Sequence, residues 1–235
     1  MGSNTSEAHP IIANRIKRAK KKGMTLIVVD PRQTDMAKAA THHLPLRVGS
    51  DIAFLNAVMN LVIQNGWYDA SWLEQHTEGF EQLRKRVEPY TLASAAEITG
   101  LREEQIEEVA RLYAQADNAM IAYTLGITEH HCGVNNVFAI GDLALLTGHM
   151  GKEGNGIIPL RGQNNVQGAG DMGCLPNQLP GAVPLSDLEA RLRFEEAWEI
   201  PIPAESGRTQ TQMFERIEAG GVRCLYIVGE NPLMA

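Results

Sequence analysis

The run Arg161-Gly-Gln-Asn-Asn-Val-Gln-Gly-Ala-Gly-Asp-Met-Gly173 concentrates ligand-binding chemistry. Gly162, Gly168, Gly170 and Gly173 let backbone approach a ligand and adopt positive φ. Gln163, Asn164, Asn165 and Gln167 each offer donors and an acceptor. Arg161 adds a rigid cationic fork suited to carboxylate or phosphate. Such a set fits a large polar anion laid along backbone. The same composition also fits a long surface turn. A second set opens the chain. Gly2-Ser-Asn-Thr-Ser-Glu leads into a helical pattern, and a helix N-terminus can hold a phosphate. Asn4, Thr5 and Ser6 equally serve as ordinary caps, with Glu7 in the first turn and Pro10 tolerated near the start. A third set is Asp30-Pro-Arg32, at the end of an apolar run. An acid there accepts from ribose or base, or simply makes a turn. Arg32 beside it can pair with a phosphate.

These residues need elements to hold them. Ile11, Ile12, Ile16 and Ala19 suggest the apolar stripe of the first helix, which Gly23 ends. Residues 25–29 form a short β-branched run that reads as a buried parallel strand. A short helix over 34–40 and a strand over 43–46 follow. His42 and His43 are adjacent and so face opposite sides of a strand, which favours structural roles. Gly49-Ser-Asp51 caps a helix over 52–64 whose apolar residues nearly surround it, implying deep burial. Residues 67–115 read as more polar helices, with Trp72, Leu73, Phe80, Leu83, Val87 and Tyr90 as packing positions. A strand over 118–123 runs into a loop over 124–133. His130, His131 and Cys132 are consecutive there, which makes convergence on one metal ion difficult. An apolar helix over 134–150 and a turn-rich stretch over 151–156 lead to Arg161. Past Gly173 the chain reads as loop, then as helices over 188–198 and 209–219. Residues 222–228 read as a strand closing on Gly229-Glu-Asn-Pro232, which suggests a second α/β unit.

Composition narrows the partners. The 235 residues allow one large domain or two small ones. The net charge of −7 argues against a nucleic-acid partner. The basic run from Arg15 to Lys22 reads as a solvated helix face near a C-terminus. Cys132, Cys174 and Cys224 form no CxxC pair, so spacing indicates neither zinc nor an iron–sulfur cluster. No apolar run reaches membrane-spanning length. No signal peptide is visible, and we read the chain as cytoplasmic. Met1 stands directly on a glycine loop that would normally follow a strand. The expectation is therefore an internal piece of a larger polypeptide, lacking the first strand of its sheet.

Residues 161–168 resemble a signature of the molybdopterin oxidoreductases that bind two pterin guanine dinucleotides. Within them the chain is most similar to the catalytic alpha subunit of formate dehydrogenase. The resemblance extends to Gly2-Ser-Asn-Thr-Ser-Glu-Ala-His-Pro10, Val29-Asp-Pro-Arg32, Ala144-Leu-Leu-Thr-Gly148 and Gly229-Glu-Asn-Pro232. It implies an α/β fold: a Rossmann-like parallel sheet flanked by helices over 1–163, plus part of a second α/β unit over 164–235. It implies formate oxidation to carbon dioxide at molybdenum or tungsten, in anaerobic metabolism, with Arg161 as the active-site arginine. Gly2, Ser3, Asn4 and Glu7 would anchor cofactor at a helix start. Asp30, Arg32, Gly49 and Asp51 would grip one guanosine end, with the Asp51 carboxylate accepting from N1 and N2 of the base. Leu125, Gly126 and Glu129 would touch a dinucleotide arm, and Gln163 would be a further cofactor contact. Glu129 stands where many relatives carry Gln, and a carboxylate cannot donate as an amide does. Gly229, Glu230 and Asn231 would meet the other arm.

The family's metal ligand, a Cys or selenocysteine followed by His, lies upstream of the Gly-Ser-Asn loop. So do the cysteines of its 4Fe-4S cluster. The expectation is that this chain alone neither oxidises formate nor holds the cofactor tightly, and it assigns no metal ligand here. Formate, electron-transfer subunits and a homodimer of the fragment are the implied partners. Two alternatives stand: another two-pterin enzyme such as nitrate reductase, or a non-catalytic cofactor-binding module.

Overall fold

The computed structural model describes residues 1–229, apart from the Thr211 side chain. It divides into two compact units, Met1–Gly162 and Gln163–Ala235.

The first unit begins with two helices, α1 (Thr5–Ala8) and α2 (Pro10–Lys21), broken at His9. Pro10 explains the break: its ring suits the first turn of a helix but cannot donate to an earlier one. The stripe expected on Ile11 and Ile12 is not the buried one. Ile11 is 69% exposed, whereas Ala13 and Ile16 face Val28, Met36 and Ala37. Restarting at Pro10 sets which face turns inward. Next come β1 (Ile27–Val29), α3 (Asp35–Ala39), capped by Thr34, and β2 (His42–Leu44). The two strands pair in parallel, Ile27 opposite His42. His43 Nε2 donates to the Asp30 carbonyl at 2.9 Å, and His42 lies 3.4 Å from Glu108.

Helix α4 (Asp51–Gln64) is the centre of the unit, buried on nearly every side. Leu55, Val58, Met59 and Val62 are almost wholly enclosed; each contributes about 1.5–3 kcal/mol by leaving water. Around it lie α5 (Ala70–His76), α6 (Phe80–Val87), α7 (Leu92–Thr99) and α8 (Glu103–Ala114). Trp72, Leu73, Phe80, Leu83, Val87 and Tyr90 join this core as their spacing predicts.

The chain then returns through β3 (Met120–Tyr123), α9 (Leu125–Thr128), α10 (Gly133–Leu146) and β4 (Gly156–Pro159). β3 and β4 pair in parallel, Met120 opposite Gly156. A strand thus begins at Gly156, where the turn-rich stretch ends, and the loop over 124–133 contains a short helix. Both are differences from the sequence reading. Among the described residues the parallel strands form two pairs, not one continuous sheet. Met1 and Gly2 lie between the pairs. The Met1 amine donates to the Ala122 carbonyl at 2.7 Å, and Gly2 N–H to the Val29 carbonyl at 3.0 Å.

The second unit holds α11 (Val166–Asp171), a two-residue antiparallel pairing of β5 (Gln178–Leu179) with β6 (Val183–Pro184), α12 (Leu188–Trp198) and α13 (Gln210–Glu218). The glycine-rich run after Arg161 is thus partly helical. Residues 222–228 are not a strand: among the described residues no segment pairs with them, and Tyr226 is 90% exposed. An apolar β-branched run becomes a strand only where a neighbour satisfies its backbone.

Candidate functional site

A hollow of about 360 Å³ opens at the C-terminal ends of β1 and β3 in the first unit. The end of a parallel strand is where α/β folds hold ligands. Its floor is a contact between two glycines. A Cβ at Gly126 would lie 2.7 Å from both the Cα and the carbonyl oxygen of Gly2. Gly126 N–H donates to that oxygen at 3.1 Å. Only residues without side chains permit this approach.

Four segments line the hollow. Gly2, Asn4 and Ala8 come from the chain's start; Val29, Asp30, Pro31 and Arg32 from the end of β1. Leu46 to Gly49 with Asp51 come from the turn into α4; Thr124, Leu125, Gly126 and His130 from the end of β3 and α9. Asp30 is 3% exposed. Its Oδ1 accepts from the Arg32 N–H at 2.9 Å and lies 3.7 Å from Arg32 Nε. This side-chain-to-backbone turn fixes the carboxylate at the cavity edge. Asp51 is the first residue of α4, and Ser50 occupies the cap position. Burial pushes the Asp51 carboxyl up, while its own backbone amide, His130 and the Met1 ammonium pull it back. Burial also lowers the Met1 amine to about 6, against the attraction of Asp30 and Asp51.

The hollow therefore gathers Gly2, Asn4, Asp30, Arg32, Gly49, Asp51, Leu125 and Gly126 from the residues singled out in the sequence. Several others lie elsewhere. Ser3 shares a hydrogen bond with Thr5 Oγ1 at 2.7 Å and does not line the cavity. Glu7 and Glu129 are exposed beside it, and neither is a lining residue. Arg161 follows β4, and its carbonyl accepts from His9 Nε2 at 2.7 Å, but it does not line the hollow. Gln163 begins the second unit, and Gly229 in that unit is exposed with φ of +63°. Glu230 and Asn231 fall outside the described residues. Arg47, Val48, Thr124 and His130 are lining residues that the sequence reading did not assign to a site. The available signal was adjacency: each directly neighbours a segment that was named.

The molybdopterin oxidoreductase family profile matches residues 1–235. This chain belongs to that family.

As a molybdopterin oxidoreductase, it is 46% identical to F420-dependent formate dehydrogenase 2 subunit alpha of Methanococcus maripaludis, over 100% of this chain and 34% of that protein. It is 43% identical to formate dehydrogenase H of Escherichia coli, over 99% of this chain and 33% of that protein. The chain spans about a third of the length of the curated relatives it matches. Among solved structures it resembles acetylene hydratase from Pelobacter acetylenicus, with a TM-score of 0.62 and 32% identity over 65% of this chain and 21% of that one. The family implies a molybdopterin cofactor with molybdenum or tungsten.

The residues present fit an arm of such a cofactor. The glycine floor admits a polar chain against backbone, two carboxylates offer acceptors, and Arg32 offers a cation, while the Arg47 guanidinium is held by the Glu97 carbonyl. Ser6 Oγ and His9 Nδ1 are buried without a partner among the described residues, although neither residue lines the hollow. Such atoms ordinarily meet a water or a ligand. Among the described residues no helix is long and apolar enough to cross a membrane.

Proposed function

We propose that this chain is the part of a formate dehydrogenase alpha subunit that grips the guanosine end of a pterin guanine dinucleotide. The observation that carries the reading is the convergence of Gly2, Asp30, Arg32, Gly49, Asp51 and Gly126 on one hollow from four separated segments. Asp30, held by the Arg32 amide, accepts from a ribose hydroxyl. Asp51 accepts from N1 and N2 of guanine. The Gly2–Gly126 floor lets a pyrophosphate lie against backbone, with Arg32 as its counter-ion. The bound metal pterin supplies the two-electron redox centre for oxidising formate to carbon dioxide. Arg161 orients the formate carboxylate by its charge. Leu125 contacts the same arm, Glu129 reaches it only from outside the hollow, Gly229, Glu230 and Asn231 serve the second arm, and Gln163 is a further cofactor contact.

The metal ligand, the 4Fe-4S cluster and the electron-transfer subunits belong to the whole enzyme. The isolated chain binds guanosine phosphates weakly and does not turn over formate. An amide NMR titration with GDP tests this. Shifts confined to Gly2, Asn4, Asp30, Gly49, Asp51 and Gly126, and lost in Asp51→Asn, are expected. Shifts scattered over the surface, or none, overturn the reading. The likeness to acetylene hydratase favours one alternative, the same cofactor grip serving another substrate; formate rests on the names of the sequence relatives.

A further inference from the structure

Arg47 connects a helix outside the hollow to the turn that delivers Asp51. Its backbone N–H donates to the Thr99 carbonyl at 2.8 Å, and its Nη1 donates to the Glu97 carbonyl at 2.6 Å. Both acceptors lie in the last turn of α7, where carbonyls lack helical partners and carry the negative end of the dipole. Gly100 ends that helix with φ of +75°, and a Cβ there would come within 3.1 Å of Arg47 Nε. The arginine side chain thus runs directly over the helix end. On its other side, the Arg47 carbonyl accepts from Ser50 Oγ at 2.6 Å and from Ser50 N–H at 3.2 Å. The Ser50 carbonyl in turn accepts from Phe54 N–H at 3.0 Å, which opens α4 just past Asp51. Gly49, with φ of +84°, gives the intervening turn the freedom to move if this clasp is released.

We propose that Arg47 is a positioning residue that sets the Asp51 carboxylate for base recognition and so governs the guanine selectivity of the hollow. The proposal rests on the guanosine reading above. A carboxylate accepting from two nitrogens of one base must be held to within about 0.5 Å. The clasp between α7 and α4 provides that hold. Arg47 contributes through geometry, not through contact with the base.

The test is a pair of amide NMR titrations of the full chain, with GDP and with IDP, whose base lacks the 2-amino group. The parent chain is expected to prefer GDP by about tenfold, the worth of one charge-assisted hydrogen bond. In Arg47→Met the preference should fall below about twofold, GDP losing more than IDP. Arg47→Lys should restore part of it, because an ammonium still reaches a helix C-terminal carbonyl. Equal weakening of GDP and IDP would mean a merely structural arginine and would overturn the proposal. If Arg47→Met does not fold, Ser50→Ala, which removes one hydrogen bond of the clasp, should lower the same ratio. A parent chain without GDP preference defeats the guanosine reading itself. A preference that survives every folded variant defeats only the role of Arg47.

Discussion

Gly126→Ala separates packing from propensity by the sign of its effect. Gly126 lies in α9, so helix propensity alone predicts that alanine stabilises by about 1 kcal/mol. The contact with Gly2 predicts the reverse. The added Cβ would stand 2.7 Å from the Gly2 Cα and carbonyl oxygen, where ordinary contact begins at 3.4 Å. The two backbones must part by several tenths of an ångström. Overpacking of this kind costs about 1–3 kcal/mol. Weakening the Gly126 N–H to Gly2 carbonyl bond of 3.1 Å costs about 1 kcal/mol more. The net expectation is a destabilisation of about 1–3 kcal/mol. With a urea slope of about 2 kcal/mol per molar, the midpoint falls by about 0.5–1.5 M. Gly141→Ala is the internal control. It is also a helix-interior glycine, but a Cβ there meets nothing within 4 Å. It should raise stability by about 0.5–1 kcal/mol. Urea unfolding followed by circular dichroism reads both. If Gly126→Ala stabilises as Gly141→Ala does, the glycine floor of the hollow is not a tight contact and the account of the site is wrong.

Asn136 is 1% exposed and donates from Nδ2 to the Ile127 carbonyl at 2.9 Å, tying α9 to α10; Asn136→Ala should cost about 1–3 kcal/mol by stranding that carbonyl, read as a lower urea midpoint. The His149 pKa is lowered chiefly by burial, opposed by the Tyr113 carbonyl and reinforced by Lys152. The unfolded imidazole, at about 6.5, therefore takes its proton first as pH falls. Stability is full above that value and declines as pH drops through it toward the lower folded value. The urea midpoint of the parent should consequently fall between pH 7.5 and 5 by more than that of His149→Gln. In the second unit, Thr209 and Gln212 form a reciprocal cap on α13. Thr209→Ala should cost that helix about 1 kcal/mol, measured as faster amide exchange confined to residues 210–218.

The helices were legible because their signals are local. The all-round apolar pattern of α4 and the packing positions of α5 and α6 need nothing from elsewhere in the chain. Strands were legible only where composition happened to coincide with pairing. Residues 156–159 carry two prolyl and glycyl signals against a strand, yet they pair with β3, some 36 positions earlier in register. Residues 222–228 carry the β-branched signal for one, yet nothing described pairs with them. A strand is a property of two segments, and a single segment's composition cannot report its partner. The run over 166–171 fails for the opposite reason. Gly168 and Gly170 argue against helix on propensity, and Asn165 starts the helix only by taking φ of +54°.

The site follows the same division. Asp30 and Asp51 were readable because a strand end and a helix start place their side chains by local geometry. Ser3, Glu7 and Glu129 share those segments but do not line the hollow, since neighbours in sequence do not share a direction. Arg47 and His130 gain their places only when α7 and α9 are brought beside α4 and β1, which no short window contains. Residue type thus marks where a polyanion can be held. Which side chains reach it depends on contacts such as Gly2 with Gly126, made between positions more than a hundred residues apart. The decisive measurements are therefore those that alter a contact and leave the local pattern intact.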